Sequence, residues 1–259
     1  MWKWEVSNAK GVFVIVHGAG EHHGRYSWLV EKWNEEGFHV IMGDLPGQGT
    51  TTRRRGHIDS FNDYIETVAG WVEQAEQYKL PIYLLGHSMG GLVVIRTLME
   101  KDLPIEVVLL SSPCLGLVRP PSKGKQALAK VLNVFSPAVR FPSNLEPGTA
   151  TRNEDVLQKD AEDPLYVRKV SVRWYRELEK AMEIVHTKIE KFPDMPLLLL
   201  QAGDDRICDK ERAQEWFNRL LLREKAYKEW EGLFHEVFNE PEREEVFQYA
   251  KSFMVMRQL

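Results

Sequence analysis

The stretch Ile82-Tyr83-Leu84-Leu85-Gly86-His87-Ser88-Met89-Gly90-Gly91-Leu92-Val93-Val94-Ile95 decides the fold class. Its first four residues form an apolar run of strand length, and residues 89–100 read as a helix. The turn between them is Gly86-His87-Ser88-Met89-Gly90. A backbone that passes from a buried strand into a helix within so few residues brings the two elements into close contact, and small residues at 86 and 90 make room for it. Ser88 therefore stands at the apex of a tight turn, its hydroxyl clear of the main chain.

Outward from this turn, short apolar runs alternate with longer amphipathic stretches, the pattern of a parallel sheet covered by helices. Strands are predicted over residues 12–16, 39–42, 82–85, 107–110, 197–201 and 227–230, most of them apolar on both faces. Helices are predicted over 26–36, stopped by Gly37; over 62–78, opened by Ser60 with Asp63 three residues on; and over 89–100. Two more cover 210–223 and 241–256, where Pro241 suits a first helical turn. The expected fold class is α/β, with a mostly parallel central sheet and helices on both faces.

The alternation stops after Pro113 and resumes near Met195-Pro196. Residues 1–113 and 195–259 thus read as one core, and residues 114–194 as an inserted helical cap. The insertion holds Pro120, Pro121, Pro137, Pro142 and Pro147 and two amphipathic stretches, 127–135 and 167–185. In the second, Val170, Trp174, Leu178, Met182 and Val185 recur at helical spacing, which predicts a face that packs on the core and lines an apolar acyl pocket.

Composition narrows the function classes. The chain has 259 residues, 43% hydrophobic and 28% charged, with a net charge of −4, which suits one catalytic domain and argues against a nucleic-acid binder. No run of about 18 apolar residues occurs, and Met1-Trp2-Lys3-Trp4-Glu5 lacks the apolar stretch of a secretory signal, so a cytoplasmic location is expected. In that compartment Cys114 and Cys208 are expected as reduced thiols. No metal site is predicted, because no CxxC pair occurs and His235-Glu236-Val237-Phe238-Asn239 lacks the second histidine of a zinc-binding helix.

A serine hydroxyl is a weak nucleophile near neutral pH and needs a base within hydrogen-bond reach. In a strand-turn-helix setting of this kind the partners follow in the order Ser, acid, His. Of the eight histidines only His235 comes late enough, just after the last predicted strand, at the carboxyl end of the sheet where open α/β folds bind ligands. The loop Gly203-Asp204-Asp205-Arg206 offers two carboxylates: Asp205 is preferred as the acid, while Asp204 beside Gly203 suits a turn. Asp209 reads as the cap of the following helix.

The tetrahedral intermediate of acyl transfer needs N–H donors for its oxyanion. Met89 at the start of the helix supplies one, and Ala19, in the loop His17-Gly18-Ala19-Gly20 after the first predicted strand, is the choice for the other. His17 is expected to brace that loop and His87 to pack behind the turn, whereas His22, His23, His39, His57 and His186 show no partner pattern. Asp44-Leu45-Pro46-Gly47-Gln48-Gly49 reads as a turn that fixes the floor of the site.

Together these residues resemble the monoacylglycerol lipase and lysophospholipase branch of the α/β-hydrolase superfamily, over nearly the whole chain. His17-Gly18-Ala19-Gly20-Glu21-His22 followed by Gly24-Arg25-Tyr26 resembles the oxyanion loop of monoacylglycerol lipases. Asp205-Arg206 matches the Asp-Arg pair of that branch, and His235, ahead of Glu240-Pro241-Glu242, matches its catalytic histidine. Residues 43–52, which end in Thr50-Thr51-Thr52, and residues 166–175 bring the likeness nearer to the bacillar phospholipases of the YtpA type. The resemblance implies a cap and hydrolysis of single-chain acyl esters such as monoacylglycerols or lysophospholipids, without a cofactor. The first half of the cap departs from the mammalian enzyme, so the acyl pocket does not transfer.

The expected reaction is two-step acyl transfer. His235, oriented by Asp205, takes the Ser88 proton; Ala19 and Met89 hold the oxyanion; water then releases the acid. The alternatives are an amide or peptide hydrolase on the same triad and a non-catalytic ligand-binding protein. The filled triad disfavours the latter, and the lipase-like loop favours esters over amides. The expected partner is a small acyl ester or lipid. Residues 114–145 contain no Asp or Glu but hold Arg119, Lys123, Lys125, Lys130 and Arg140 among apolar residues, which suits either contact with an anionic membrane surface or a solvated helix face.

Overall fold

The computed structural model describes residues 1–50, 54–143 and 148–255. Thr51, Thr52, Leu145, Pro147 and Met256, which figure in the sequence reading, lie outside the described residues. In chain order the elements are β1 (Trp2–Trp4), β2 (Gly11–Val16), α1 (Ser27–Glu35), β3 (Phe38–Met42), α2 (Asn62–Glu76), β4 (Ile82–His87), α3 (Met89–Glu100), β5 (Ile105–Ser111), α4 (Lys123–Phe135), β6 (Arg140–Pro142), α5 (Glu154–Glu162), β7 (Lys169–Ser171), α6 (Val172–Thr187), β8 (Leu197–Ala202), α7 (Lys210–Arg219), β9 (Lys225–Trp230) and α8 (Arg243–Val255).

The main sheet runs β1-β3-β2-β4-β5-β8-β9. Its strands are parallel except β1, which lies antiparallel on β3. The α/β class and the mostly parallel sheet are therefore present as expected. Alternation along β2 divides the core: Val12, Val14 and Val16 pack with Ile65 of α2 and Leu92 of α3, while Phe13 and Ile15 pack with Trp33 of α1 and Phe247 of α8. Burial on both faces is the reason the central strands read as unbroken apolar runs.

Local chemistry sets the helix ends. Gly37, at φ 80°, closes α1, and its N–H donates to the Asn34 carbonyl at 2.9 Å. Ser60 and Asp63 form the expected box at α2: Ser60 Oγ accepts from the Asn62 N–H and Asp63 from the Ser60 N–H, both at 3.2 Å. That helix stops at Glu76, short of residue 78, and Lys79 turns the chain at φ 55°. Asp209 caps α7 by accepting from the N–H groups of Glu211 and Arg212. Helix α7 ends at Arg219 rather than 223, because the main chain at Leu220 becomes extended and buries that side chain in the core.

Between β5 and β8 the chain leaves the main sheet for α4, α5, α6 and the antiparallel pair β6–β7. Helix α6 lays Trp174, Leu178, Ala181 and Val185 on the core, with Met182 half-buried beside them, and Trp174 Nε1 donates to Tyr64 Oη of α2 at 2.8 Å. Helix α4, by contrast, buries none of its residues. Among the described residues no helix is long and apolar enough to cross a membrane.

Candidate active site

The turn from β4 to α3 holds Ser88 at φ 54° and ψ −121°, a region that residues with side chains rarely occupy. Space explains its glycines. A Cβ on Gly90 would lie 2.1 Å from the Val16 carbonyl oxygen, and one on Gly86 would lie 2.6 Å from that of Gly90. The start of α3 is thus pressed against the end of β2, and Met89, its first residue, has an N–H that no intrahelical carbonyl can reach.

The loop after β2 is braced as expected by buried His17, whose Nε2 accepts from the Leu45 N–H at 2.9 Å while Nδ1 lies 2.8 Å from the Gly18 carbonyl oxygen. Burial lowers the His17 pKa and keeps the ring neutral. The Gly18 N–H donates to Glu21 Oε2 at 2.7 Å and the Gly20 N–H to Gln48 Oε1 at 3.0 Å. Between these engaged neighbours, the Ala19 N–H has no protein acceptor among the described residues. Ala19, Ser88, Met89 and His235 line one cavity of about 600 Å³.

Asp205 follows β8, its side chain fully buried, with Oδ2 2.8 Å from His235 Nδ1. Oδ1 accepts from the N–H groups of Ile207 and Cys208, each at 2.9 Å. Burial works to raise the Asp205 pKa, but His235 and these donors outweigh it and hold the carboxylate below its usual value. Burial works in turn against charge on His235, and Asp205 more than offsets it, so the imidazole pKa stands above 6.5. Asp204 stays outside the Asp205–His235 pair: its main-chain N–H donates to the Leu233 carbonyl at 3.0 Å, and among the described residues its carboxylate makes no hydrogen bond that would hold the turn.

The Ser88 hydroxyl points toward Cys208, with Oγ 4.0 Å from Sγ, and among the described residues no hydrogen bond joins it to His235. A hydrogen bond with Cys114, then burial, raises the Cys208 thiol pKa well above its usual value, so both free cysteines lie beside the serine with Cys208 protonated. His87 does not stand behind the turn, as the sequence suggested. It lines the cavity, its ring 4.8 Å from that of His235, and burial followed by the His235 charge pushes it down to about 3.

Sequence reasoning missed a buried charge cluster. Arg25 donates to Glu21, to Asp160 of α5 (Nε to Oδ1, 2.8 Å) and to Glu236 (Nη2 to Oε2, 3.0 Å). Glu21 belongs to the oxyanion loop, and Glu236 follows His235 directly. One guanidinium thus ties that loop and the histidine loop to the inserted segment. Burial works to raise the Glu236 pKa, but Arg25 and His87 bring it to about 2. His22 adds a second tie, Nε2 to Asp163 Oδ2 at 2.6 Å, and the Gly20 carbonyl accepts from the Val167 N–H at 2.8 Å. The i,i+4 spacing of Glu21 and Arg25 was the one visible signal.

The other histidines also have partners. His23 meets Asp44 at 2.8 Å, His39 accepts from the Val6 N–H at 3.1 Å, His57 meets Ser171 Oγ at 2.8 Å, and His186 meets the Leu115 carbonyl at 2.8 Å. Asp44 fixes its turn through the N–H groups of His23 and Thr50, which against burial bring its pKa to about 2. Three groups among the described residues bring His, Cys or carboxylate atoms within 4.8 Å of one another: His22, His23 and Asp44; Asp205, Cys208 and His235; Glu21, His87 and Glu236. The contacts above engage the members of each group within the protein.

Residues 7–242 match the family described as serine aminopeptidase, S33. The chain is 54% identical over 254 residues to phospholipase YtpA of Bacillus subtilis (strain 168), covering 98% of each. It is 31% identical over 244 residues to the monoglyceride lipase of Homo sapiens, covering 92% of this chain and 79% of that protein. The crystal structure of Paleococcus ferrophilus monoacylglycerol lipase superposes with a TM-score of 0.89 at 32% identity, covering 98% of both chains. The chain belongs to the serine aminopeptidase S33 family of α/β-hydrolases, in the branch that holds the monoacylglycerol lipases.

Proposed function

We propose that the chain is a serine carboxylic-ester hydrolase that cleaves single-chain acyl esters of the monoacylglycerol or lysophospholipid kind through an acyl-enzyme on Ser88. The observation that carries this reading is the Ala19 N–H, which among the described residues has no acceptor while both its neighbours are engaged, and which shares one cavity with Met89, Ser88 and His235. His235, held by Asp205, removes the Ser88 proton as the hydroxyl attacks, and the Ala19 and Met89 N–H groups receive the oxyanion. His235 then protonates the leaving alcohol, and a water activated by the same ring releases the acid. Every step draws on protein groups and water alone.

In this reading residues 1–113 and 195–259 form the core and residues 114–194 the cap, whose Phe141, Val170, Trp174 and Leu178 give the cavity an apolar wall for the acyl chain. A cytoplasmic setting, with Cys114 and Cys208 kept as buried thiols, belongs to the same reading. The family's own description makes an amide hydrolase the second reading. Both are tested by turnover of p-nitrophenyl esters of increasing chain length, monoacylglycerol, lysophospholipid and an aminoacyl anilide, across pH. We expect ester turnover to dominate. Its kcat/KM should fall on the acid side with a midpoint above 6.5, since the base works only when neutral and Asp205 raises its pKa. Faster anilide turnover sinks the ester reading, and a flat profile from about pH 5 to 8 removes His235 as base.

Helix α4 supports contact with an anionic lipid surface. Val134 is 72% and Phe135 80% exposed, beside exposed Leu128 and Val131, with Lys123, Lys125, Lys130 and Arg140 around them and no acid over residues 114–143. Replacing both Val134 and Phe135 with serine is expected to weaken co-sedimentation with phosphatidylglycerol vesicles roughly tenfold, by removing apolar area that the interface would bury. Equal sedimentation of the two proteins rules this contact out.

A further inference from the structure

At the rim of the Ser88 cavity stand two arginines without an ion pair among the described residues. Leu117 and Cys208 form an antiparallel bridge, with the Val118 N–H donating to the Ile207 carbonyl at 3.0 Å and the Asp209 N–H to the Gly116 carbonyl at 3.1 Å. The pairing is confined to that one bridge, and the chain bends beside it at residues 118–119 and 206–207, where Arg119 and Arg206 sit. Leu117, Cys208 and both arginines line the cavity. Both arginines are exposed, and among the described residues neither forms an ion pair. The Arg206 guanidinium lies 3.8 Å from the centre of the Phe234 ring, one residue before His235, which orients it without neutralising it.

No local acid offsets them among the described residues: residues 114–143 contain none, Asp204 is not paired with Arg206, and Glu21 and Glu236, the carboxylates described in the cavity wall, are held by Arg25. The apolar wall lies deeper, on Val170, Trp174 and Leu178, all buried, whereas the arginines meet solvent. An ester whose chain lies on that wall and whose charged end stays hydrated fits both. Planar guanidinium forks match the oxygens of a phosphate monoester.

We propose that Arg119, standing at the rim beside the Arg206 that the Asp-Arg pair of the branch supplies, completes a site for an anionic group, a phosphate by preference, on the alcohol part of the ester, and so selects anionic single-chain esters over neutral glycerides. This rests on the ester-hydrolase reading. The test compares 1-acylglycerol 3-phosphate with the monoacylglycerol of the same short acyl chain, both below their critical micelle concentrations so that no lipid surface contributes. The quantity read is the ratio of kcat/KM for the anionic over the neutral substrate.

Arg119→Gln and Arg206→Gln are each expected to lower this ratio about tenfold, chiefly through KM, and the double variant further. Arg206→Lys should retain part of it, because the charge stays while the fork is lost. Lys180→Gln on the exposed side of α6 controls for net charge and should leave the ratio in place. A ratio unmoved in the double variant overturns the proposal. So does inorganic phosphate that inhibits both substrates equally, with the arginine variants relieving that inhibition at a constant ratio, since the site then serves a free anion. Turnover of p-nitrophenyl butyrate is followed alongside: a wild-type protein that hydrolyses no ester brings down the ester reading itself, whereas one that hydrolyses both substrates at an unchanged ratio in every variant brings down only the role of the arginines.

Discussion

Ser88→Ala is expected to lower kcat for p-nitrophenyl ester hydrolysis about a million-fold, leaving only what the oxyanion donors and binding contribute without a nucleophile. The fold should survive, because among the described residues the Ser88 hydroxyl has no polar contact beyond the 4.0 Å one with Cys208, and the backbone of the turn is set by Gly86 and Gly90. Ester kinetics and a thermal melt on the same preparation check both halves. A variant that melts like wild type and still turns over ester would remove Ser88 from the mechanism, and with it the roles given to His235 and Ala19. The loss should exceed that of Asp205→Asn, since a misoriented base still leaves the nucleophile in place.

The second large effect is at Arg25. Its guanidinium is buried against three carboxylates, those of Glu21, Asp160 and Glu236, and Arg25→Leu leaves them without their counter-charge. Breaking a buried pair from one side typically costs 3–5 kcal/mol, which for a chain of this size lowers Tm by about 10 °C. Activity should fall about a hundred-fold as well, because the loops carrying Ala19 and His235 lose a shared anchor.

The pH dependence separates this from a generic packing defect. In the wild type the Glu236 pKa lies near 2 against an ordinary 4.5, so its contribution is present above 4.5 and is lost as pH falls toward 2. In the variant, burial is no longer opposed by Arg25, the folded pKa rises above 4.5, and stability is lost as pH rises through it. Melts from pH 4 to 8 should therefore show the variant's deficit growing toward neutrality. The same deficit at every pH means that Arg25 acts by filling space alone.

The parts of this molecule legible in the sequence are those written locally. The strand-turn-helix around Ser88 declares itself through an apolar run, two glycines and a helix start, and Asp205 and His235 follow in the one order that the turn allows. The stripe from Trp174 to Val185 was visible for the same reason, a single periodicity in a contiguous stretch, whereas Val170, read as part of it, lies on β7 before the helix begins at Val172. Helix α5 was not, because it buries none of its nine residues and so has no stripe; only Asn153, accepting from the Asp155 N–H, marks its start. Strand β1 is three residues long, too short for a period, and exists because Trp2 and Trp4 register with Met42 and Val40.

The Arg25 cluster was illegible in a different way. Two of its three carboxylates come from 135 and 211 residues away, and no single-sequence pattern links positions that far apart. His22 is the same case, since its partner Asp163 lies 141 residues further along the chain. The position of His87 was misjudged because GxSxG says nothing about the direction of its second residue; here Nδ1 meets Ser111 Oγ at 3.1 Å and the ring lies beside that of His235.

The backbone of Ser88 has a consequence for descent. At φ 54° and ψ −121° a serine is held in a conformation that costs about 1–3 kcal/mol and that glycine adopts freely. Selection for chemistry is what keeps a side chain there against the preference of the fold. A lineage released from that selection gains stability by drifting to glycine at this one position. Among the descendants of such a protein, the inactive ones should be the harder to melt.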